Sequence, residues 1–307
     1  GANNVAVGSL SLTSNSTGVQ NVAVGSFSLD ANTTANNNTS IGYHTLGTNT
    51  TGFNNTAVGS AALFSNTTAS NNTAVGKDAL QLNTTGTQNT SVGALSLDAN
   101  TTGSQNTACG EGALSSNTTA SNNVGIGFQA LVINTTGSEC TAVGTNALDA
   151  NTTANNNTAV GYLALTSVTT SGGNTAVGRS SLANNTASSN TAVGNSALLL
   201  NTTGANNVAV GSNALDANST GSFNIGVGTN ALGKNTTGQQ NVGVGDGVLA
   251  ENTTGTKNTA VGSNALDANT TGVFNDAFGF GSLSANTTGG QNVAVGSGAL
   301  NANTTAS

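Results

Sequence analysis

One tripeptide recurs along this 307-residue chain at a fixed interval, and that interval leaves few folds open to it. Ala-Val-Gly or a close variant places glycine at 8, 25, 42, 59 and 76, and so on to 279 and 296, every 17 residues. A single step is 16 residues long, in the segment after Asn185. Eighteen repeats result, with the consensus N-[TV]-A-V-G-x-x-[AS]-L-x-x-N-T-T-[GA]-x-x; residues are referred to below by their position, 1 to 17, in that unit. Such self-similarity is the signature of stacked repeats.

A helical repeat needs two amphipathic helices and thirty or more residues. Seventeen residues rich in Gly, Asn and Thr supply neither the length nor the helix formers. Alternation over positions 2 to 4 fits a short strand. A Gly bend, a second stretch carrying Leu and an Asn-Thr-Thr turn would complete one coil. Stacking such coils brings identical residues above one another at about 4.7–4.8 Å. The expected fold is all-β: a parallel β-solenoid of eighteen 17-residue coils, forming one domain over residues 1–307. The chain opens in mid-repeat at Gly1 and carries no evident cap at either end, which reads as a fragment or a filament subunit.

Each invariant position then acquires a physical task. Expected ladder residues are Asn4, Asn21, Asn38, Asn55 and Asn72 at position 1, Gly8, Gly25, Gly42 and Gly59 at position 5, and Leu12, Leu29, Leu46 and Leu63 at position 9, with their equivalents in later coils. Position 1 departs from Asn only at Cys140, and position 12 only at Val168. Val at position 4 and Leu at position 9 are expected to form apolar columns inside the coil, with Ala at position 3 facing the other way. Buried Asn columns would bond along the axis and satisfy turn backbone groups. Ala at positions 3 and 8 would then offer small-residue faces on which solenoids pack side by side.

Composition narrows the function. Only 5% of residues are charged, against about 25% in ordinary globular domains. Four basic against eleven acidic residues, a net charge of −7, exclude a phosphate-tracking surface, so nucleic acid is not an expected partner. Apolar runs reach only four residues, as in Ala197-Leu198-Leu199-Leu200, so no segment is expected to insert in a membrane.

The core Asn55-Thr56-Ala57-Val58-Gly59 resembles the head repeat of YadA-like trimeric autotransporter adhesins. The longer unit from Asn258 to Gly272 is similar to repeats of phage tail-fibre-like and other bacterial surface proteins. The resemblance covers the whole chain. It implies a left-handed β-roll, commonly trimeric, exposed at the cell surface or on a virion tail fibre and used for adhesion or as a spacer. The adhesin repeat is shorter, and no neck, coiled-coil stalk or membrane anchor is visible here.

Other motifs are weaker. Gly125-Ile-Gly127-Phe-Gln-Ala130 and Gly226-Val-Gly228-Thr-Asn-Ala231 match a dinucleotide fingerprint, but both are repeat positions without a following helix pattern. The single His44 falls at variable position 7, where a surface side chain is expected. Asp30, Asp98, Asp149, Asp216 and Asp267, all at position 10, are too dispersed for a calcium roll. Cys109 replaces a position-4 Val and Cys140 a position-1 Asn; both are expected to be buried thiols, two coils apart and beyond disulfide reach. No metal, cofactor or catalytic group is expected, and the chain is read as no enzyme.

The Asn-Thr-Thr turn leaves two readings open. Sixteen position-12 residues form N-glycosylation sequons: Asn15, Asn32, Asn49, Asn66, Asn83, Asn100, Asn117, Asn134, Asn151, Asn201, Asn218, Asn235, Asn252, Asn269, Asn286 and Asn303. Either these amides face inward as a ladder, or they face outward and carry sugar. The expected function is a structural extracellular or cell-surface fibre, self-associating as a homotrimer or an end-to-end polymer. The alternative is a binding module whose repetitive face takes ice or host glycans.

Overall fold

The computed structural model describes all residues 1–307. Eighteen three-residue strands, from Val5–Val7 to Val293–Val295, occupy positions 2 to 4 of successive repeats, and there is no helix. They form one parallel sheet, so the fold is a β-solenoid with about 17 residues per turn. Two compact units are distinguished, residues 1–156 and 157–307. In the first, Thr56↔Thr73, Ala57↔Ala74 and Val58↔Val75 are in register. In the second, Thr175↔Thr191, Ala176↔Ala192 and Val177↔Val193 hold the same register across the 16-residue step. The deletion is absorbed in the turn and leaves the strand ladder untouched.

Three-residue strands are too short to stabilise themselves, and the turns are tied along the axis as closely as the strands are. At position 2 the N–H of Thr56 donates to Asn72 O (2.9 Å), and at position 5 that of Gly59 donates back to Ile41 O (2.8 Å). Further round, Ala61 N–H reaches Tyr43 O (2.9 Å) and Leu63 N–H reaches Ala79 O (3.0 Å). Bonds within the coil, Ala62 N–H to Gly59 O and Asn66 N–H to Leu63 O, close two consecutive turns. Nearly every backbone donor therefore has a partner, as buried backbone requires.

The tight path demands left-handed backbone at several places. Gly at position 5 has φ between +124° and +144°, and a Cβ on Gly228 would lie 2.2 Å from Gly245 O of the next coil. Less expected is Leu at position 9, which adopts φ between 48° at Leu249 and 57° at Leu165 in all eighteen coils. An L-residue in that region costs roughly 1–2 kcal/mol. Burying a Leu side chain returns about 1.5–3 kcal/mol, and Leu29, Leu46 and Leu63 are fully buried. The axial hydrogen bond at the same residue adds to that return.

The strands face the opposite way from the expectation. Ala at position 3 points inward, with Ala23, Ala57 and Ala74 fully buried, while Val at position 4 points out, Val92 and Val210 being 37% and 38% exposed. The reason is room. Where Gly125 replaces Ala, a Cβ would already stand 3.2 Å from Leu114 Cγ, so the inner file admits a methyl and little more. Ala at position 8 is inside too, as Ala62 and Ala79 show, so neither Ala file can be an outer packing face. Ser sometimes replaces Ala, and its hydroxyl is then paired inside: Ser28 Oγ donates to Ser40 Oγ at 2.8 Å. Cys109, at position 4, is consequently exposed, and only Cys140 is buried.

Substitution at two glycines separates conformation from space. Gly228→Ala meets both the φ of +134° and the carbonyl of the next coil, and is expected to lower stability in urea unfolding by about 3 kcal/mol or more. Gly281→Asn, at φ +61° with nothing within 4 Å, is expected to change it by less than about 1 kcal/mol.

Candidate functional surface

The side chains of the repeat sort into an inner set that holds the coil and an outer set that meets the surroundings. Inside, two asparagine ladders run along the axis of each unit. At position 1 the amide oxygen accepts the backbone N–H of the next coil's Asn, as in Asn55 N–H to Asn38 Oδ1 (2.9 Å). Its Nδ2 donates to the position-15 carbonyl of its own coil, as in Asn55 to Ala69 O (2.9 Å). At position 12 the carboxamides bond directly to one another: Asn66 Nδ2 to Asn49 Oδ1 (2.9 Å) and Asn83 Nδ2 to Asn66 Oδ1 (3.0 Å). Asn66 Nδ2 also donates to Ala69 O (3.0 Å), so one carbonyl per coil receives both ladders. This uses both Nδ2 hydrogens of Asn66.

The sequon residues lie in that second ladder. Asn32, Asn49, Asn66, Asn83, Asn100, Asn117, Asn134, Asn151, Asn201, Asn218, Asn235, Asn252, Asn269 and Asn286 are fully buried, and only Asn15 and Asn303 are half-buried. In the folded coil their nitrogen is out of reach of a transferase. Of the two Thr that follow, the first is half-buried and donates along the axis, as Thr101 Oγ1 to Thr118 O (3.0 Å), and the second is exposed. Val168 is a buried side chain with no amide at a ladder position, and Asn151 Oδ1 has no hydrogen-bond partner. Cys140 keeps the backbone half of the other ladder, its N–H donating to Asn123 Oδ1 (2.9 Å).

Outside, positions 2 and 4 form two parallel files. Position 4 is Val or Ile except for Cys109 and Phe278; position 2 is Thr, Val or Ile except for Asp276. Asp276 is thus the only charge in either file. Neighbours stack at about 4.7–4.8 Å along a file, and alternate residues of one strand lie about 6.6 Å apart across it. The result is a surface with a single charge, β-branched at all but three places, whose composition barely changes from coil to coil.

The variable positions 6, 7 and 10 carry what individuality the chain has. His44 lies at position 7 among Phe27, Tyr43 and Phe64. No three His, Cys, Asp or Glu side chains come together in a metal-holding arrangement. Gly125 and Ile126 belong to a strand and Gly127 to the turn after it, so the fingerprint motif does not open a helix; Gly226 to Gly228 repeat this arrangement. The position-10 carboxyls are half-buried, and Asp30, Asp98, Asp149 and Asp267 each keep one buried oxygen without a partner. Burial raises the pKa of Asp98, Asp149, Asp216 and Asp267 above the ordinary 3.8, against the opposing pull of backbone N–H groups.

Three outcomes follow. Asn66→Ala strands the amide of Asn83 and the oxygen of Asn49, and is expected to lower stability by about 2–5 kcal/mol, whereas exposed Thr102→Ala changes it by less than about 0.5 kcal/mol. Recovered as folded protein from a host that glycosylates Asn, the chain is expected to show the bare mass of its sequence at the buried sequons. The raised carboxyls fix a sign for pH: their contribution to stability is full below about 3.8 and is lost as pH rises through the higher folded values. The melting temperature is therefore expected to rise between pH 7 and pH 4, and less so after Asp98→Asn, Asp149→Asn, Asp216→Asn and Asp267→Asn are combined. Comparison of the chain with protein-family models and with curated proteins finds no match.

Proposed function

We propose that this chain is a non-catalytic structural element, a β-solenoid spacer of an extracellular or cell-surface fibre. It associates side by side with further copies of itself through the two outward files at positions 2 and 4. The observation that carries the reading is the near-absence of charge and the presence of Val or Ile at position 4 in sixteen of eighteen strands, with that position on the outside. Soluble proteins seldom leave a large contiguous apolar surface uncovered. Each coil adds only about 4.7–4.8 Å to the length of a face about 6.6 Å across between its two files, whereas a stable interface takes about 800 Å² per partner. A few coils are therefore insufficient, and the value of the repeat lies in its number. Files of mostly β-branched residues at a common spacing are also complementary to themselves, which suits a homo-oligomer. The surface location is the part of the proposal supported only by the resemblance of Asn55-Thr56-Ala57-Val58-Gly59 to adhesin head repeats. Binding of ice by this face is disfavoured because position 4 offers a methyl surface where a second Thr would be needed.

The test is the native mass by light scattering of the wild type and of a triple variant that combines Val58→Lys, Val92→Lys and Ile126→Lys. The wild type is expected to scatter as two or more chains and the triple variant as one, with unchanged circular dichroism. Cys109 stands between Val92 and Ile126 in register. Its thiol is expected to be shielded in the wild-type assembly and to react with a thiol reagent in the variant, while Cys140 stays unreactive in both until the protein is unfolded. A wild-type monomer with a freely reactive Cys109 would overturn the proposal.

A further inference from the structure

In a chain with eight Phe, two Tyr and one His, four of these rings gather on coils two to four of the first unit. Phe27 stacks on His44 with centroids 4.6 Å apart and planes 2° from parallel, so the position-7 file begins a ladder of rings. Tyr43 stands edge-on to His44 at 4.4 Å and 88°, and Phe64 does so at 5.8 Å and 81°. The next residue in the file is Ala61, and there the ladder stops. The small side chain leaves a hollow of about 240 Å³ lined by Tyr43, His44, Ser60, Ala61, Phe64 and Gln81. Phe64 has its place because position 10 of the preceding coil is Gly47, where a Cβ would come within 3.2 Å of the Phe64 ring carbons.

Packing alone does not explain this arrangement. Tyr43 remains 55% exposed, so its ring is displayed rather than buried. Stacked rings continue one another at the coil spacing, yet the file is interrupted where a fourth ring would lie. The hollow is smaller than the roughly 300–1,000 Å³ pockets that enclose drug-sized ligands, and it takes a single ring. Its walls are aromatic, and its edge carries the Ser60 hydroxyl and the Gln81 amide. The neighbouring charges cancel: Lys77 Nζ lies 3.2 Å from Asp78 Oδ2, and Gln81 Nε2 donates to Asp78 Oδ1 at 3.3 Å. An uncharged ligand with one C–H face and a hydroxylated edge matches all three features.

We propose that this hollow binds one neutral pyranose ring, its C–H face against the Tyr43–His44–Phe64 rings and its hydroxyls toward Ser60 and Gln81. The site is independent of the self-association face, because its lining residues come from positions 6, 7 and 10. A single ring on an open platform gives a Kd in the range of about 1–10 mM.

Saturation-transfer NMR on the full chain tests it, using methyl glycosides of glucose, galactose, mannose and N-acetylglucosamine, with phenol as an aromatic comparison, each at about 20 mM. At least one glycoside is expected to be saturated at its ring protons and to shift the Tyr43 and His44 resonances. Tyr43→Ala and Phe64→Ala are expected to weaken that binding at least tenfold, while Phe128→Ala, at a different aromatic position, leaves it unchanged. The shift map of the wild type serves if either variant fails to fold. No saturation of any glycoside, saturation of phenol alone, or binding that maps away from Tyr43 and His44 would each overturn the proposal. None of these outcomes depends on whether the chain self-associates.

Discussion

The asparagine carboxamide, repeated twice per coil, is the interaction on which the rest of this structure depends. A 17-residue coil has only a three-residue strand, and in the turns that make up the rest the position-1 N–H and the position-15 carbonyl are paired by Asn side chains rather than by backbone. Two Asn side chains converge on one carbonyl per coil and tie it to the neighbours above and below, as Asn55 and Asn66 do at Ala69. An unpaired buried polar group costs about 1–3 kcal/mol, so the ladder is valuable chiefly for what it prevents. It is also cooperative by construction, since the carboxamides of the position-12 file, Asn151 and Asn286 apart, accept from the next. Val168 supplies no amide to that file, and Asn151 Oδ1 is left buried without a hydrogen-bond partner, the costly way to break a ladder.

Once the ladders define the inner corners, the space between them is small, and that decides which residues lie inside. Leu at position 9 fills the centre, and the remaining inner files admit Ala, Ser or Gly at position 3. The larger β-branched residues are left outside, so this chain displays Val where most proteins hide it. Low charge fits the same picture, because a like charge on every coil would stack at about 4.7–4.8 Å and repel its neighbours. The exposed ion pair between Lys234 and Glu251, at 2.8 Å, shows the exception being neutralised between adjacent coils.

Much of this was legible in the sequence. The fixed 17-residue period named the solenoid, and the near-invariance of Asn, Gly and Leu marked the residues that make it. The facing of the strand was misread because Val outranks Ala as a core residue in general. Variability was the better guide: position 3 is never larger than Ser, while position 4 accepts Phe278 and position 2 accepts Asp276. The left-handed Leu left no local signal at all, since such a turn by propensity calls for Gly or Asn rather than Leu. Its conformation is imposed by the axial bonds. The aromatic hollow was equally hidden, because Phe27, Tyr43, His44 and Phe64 come from three coils and meet only when the repeats are stacked in register.

Hydrogen exchange of the Asn side-chain amides, followed by NMR, tests the central claim most directly. The account predicts strong protection of the Nδ2 protons of Asn38, Asn55, Asn66 and Asn83, which are donated inside the coil. The exposed carboxamides of Asn37, Asn122 and Asn206 are predicted to exchange as in a free peptide. Equal and rapid exchange at both sets, in protein whose backbone amides are protected, would contradict the ladders.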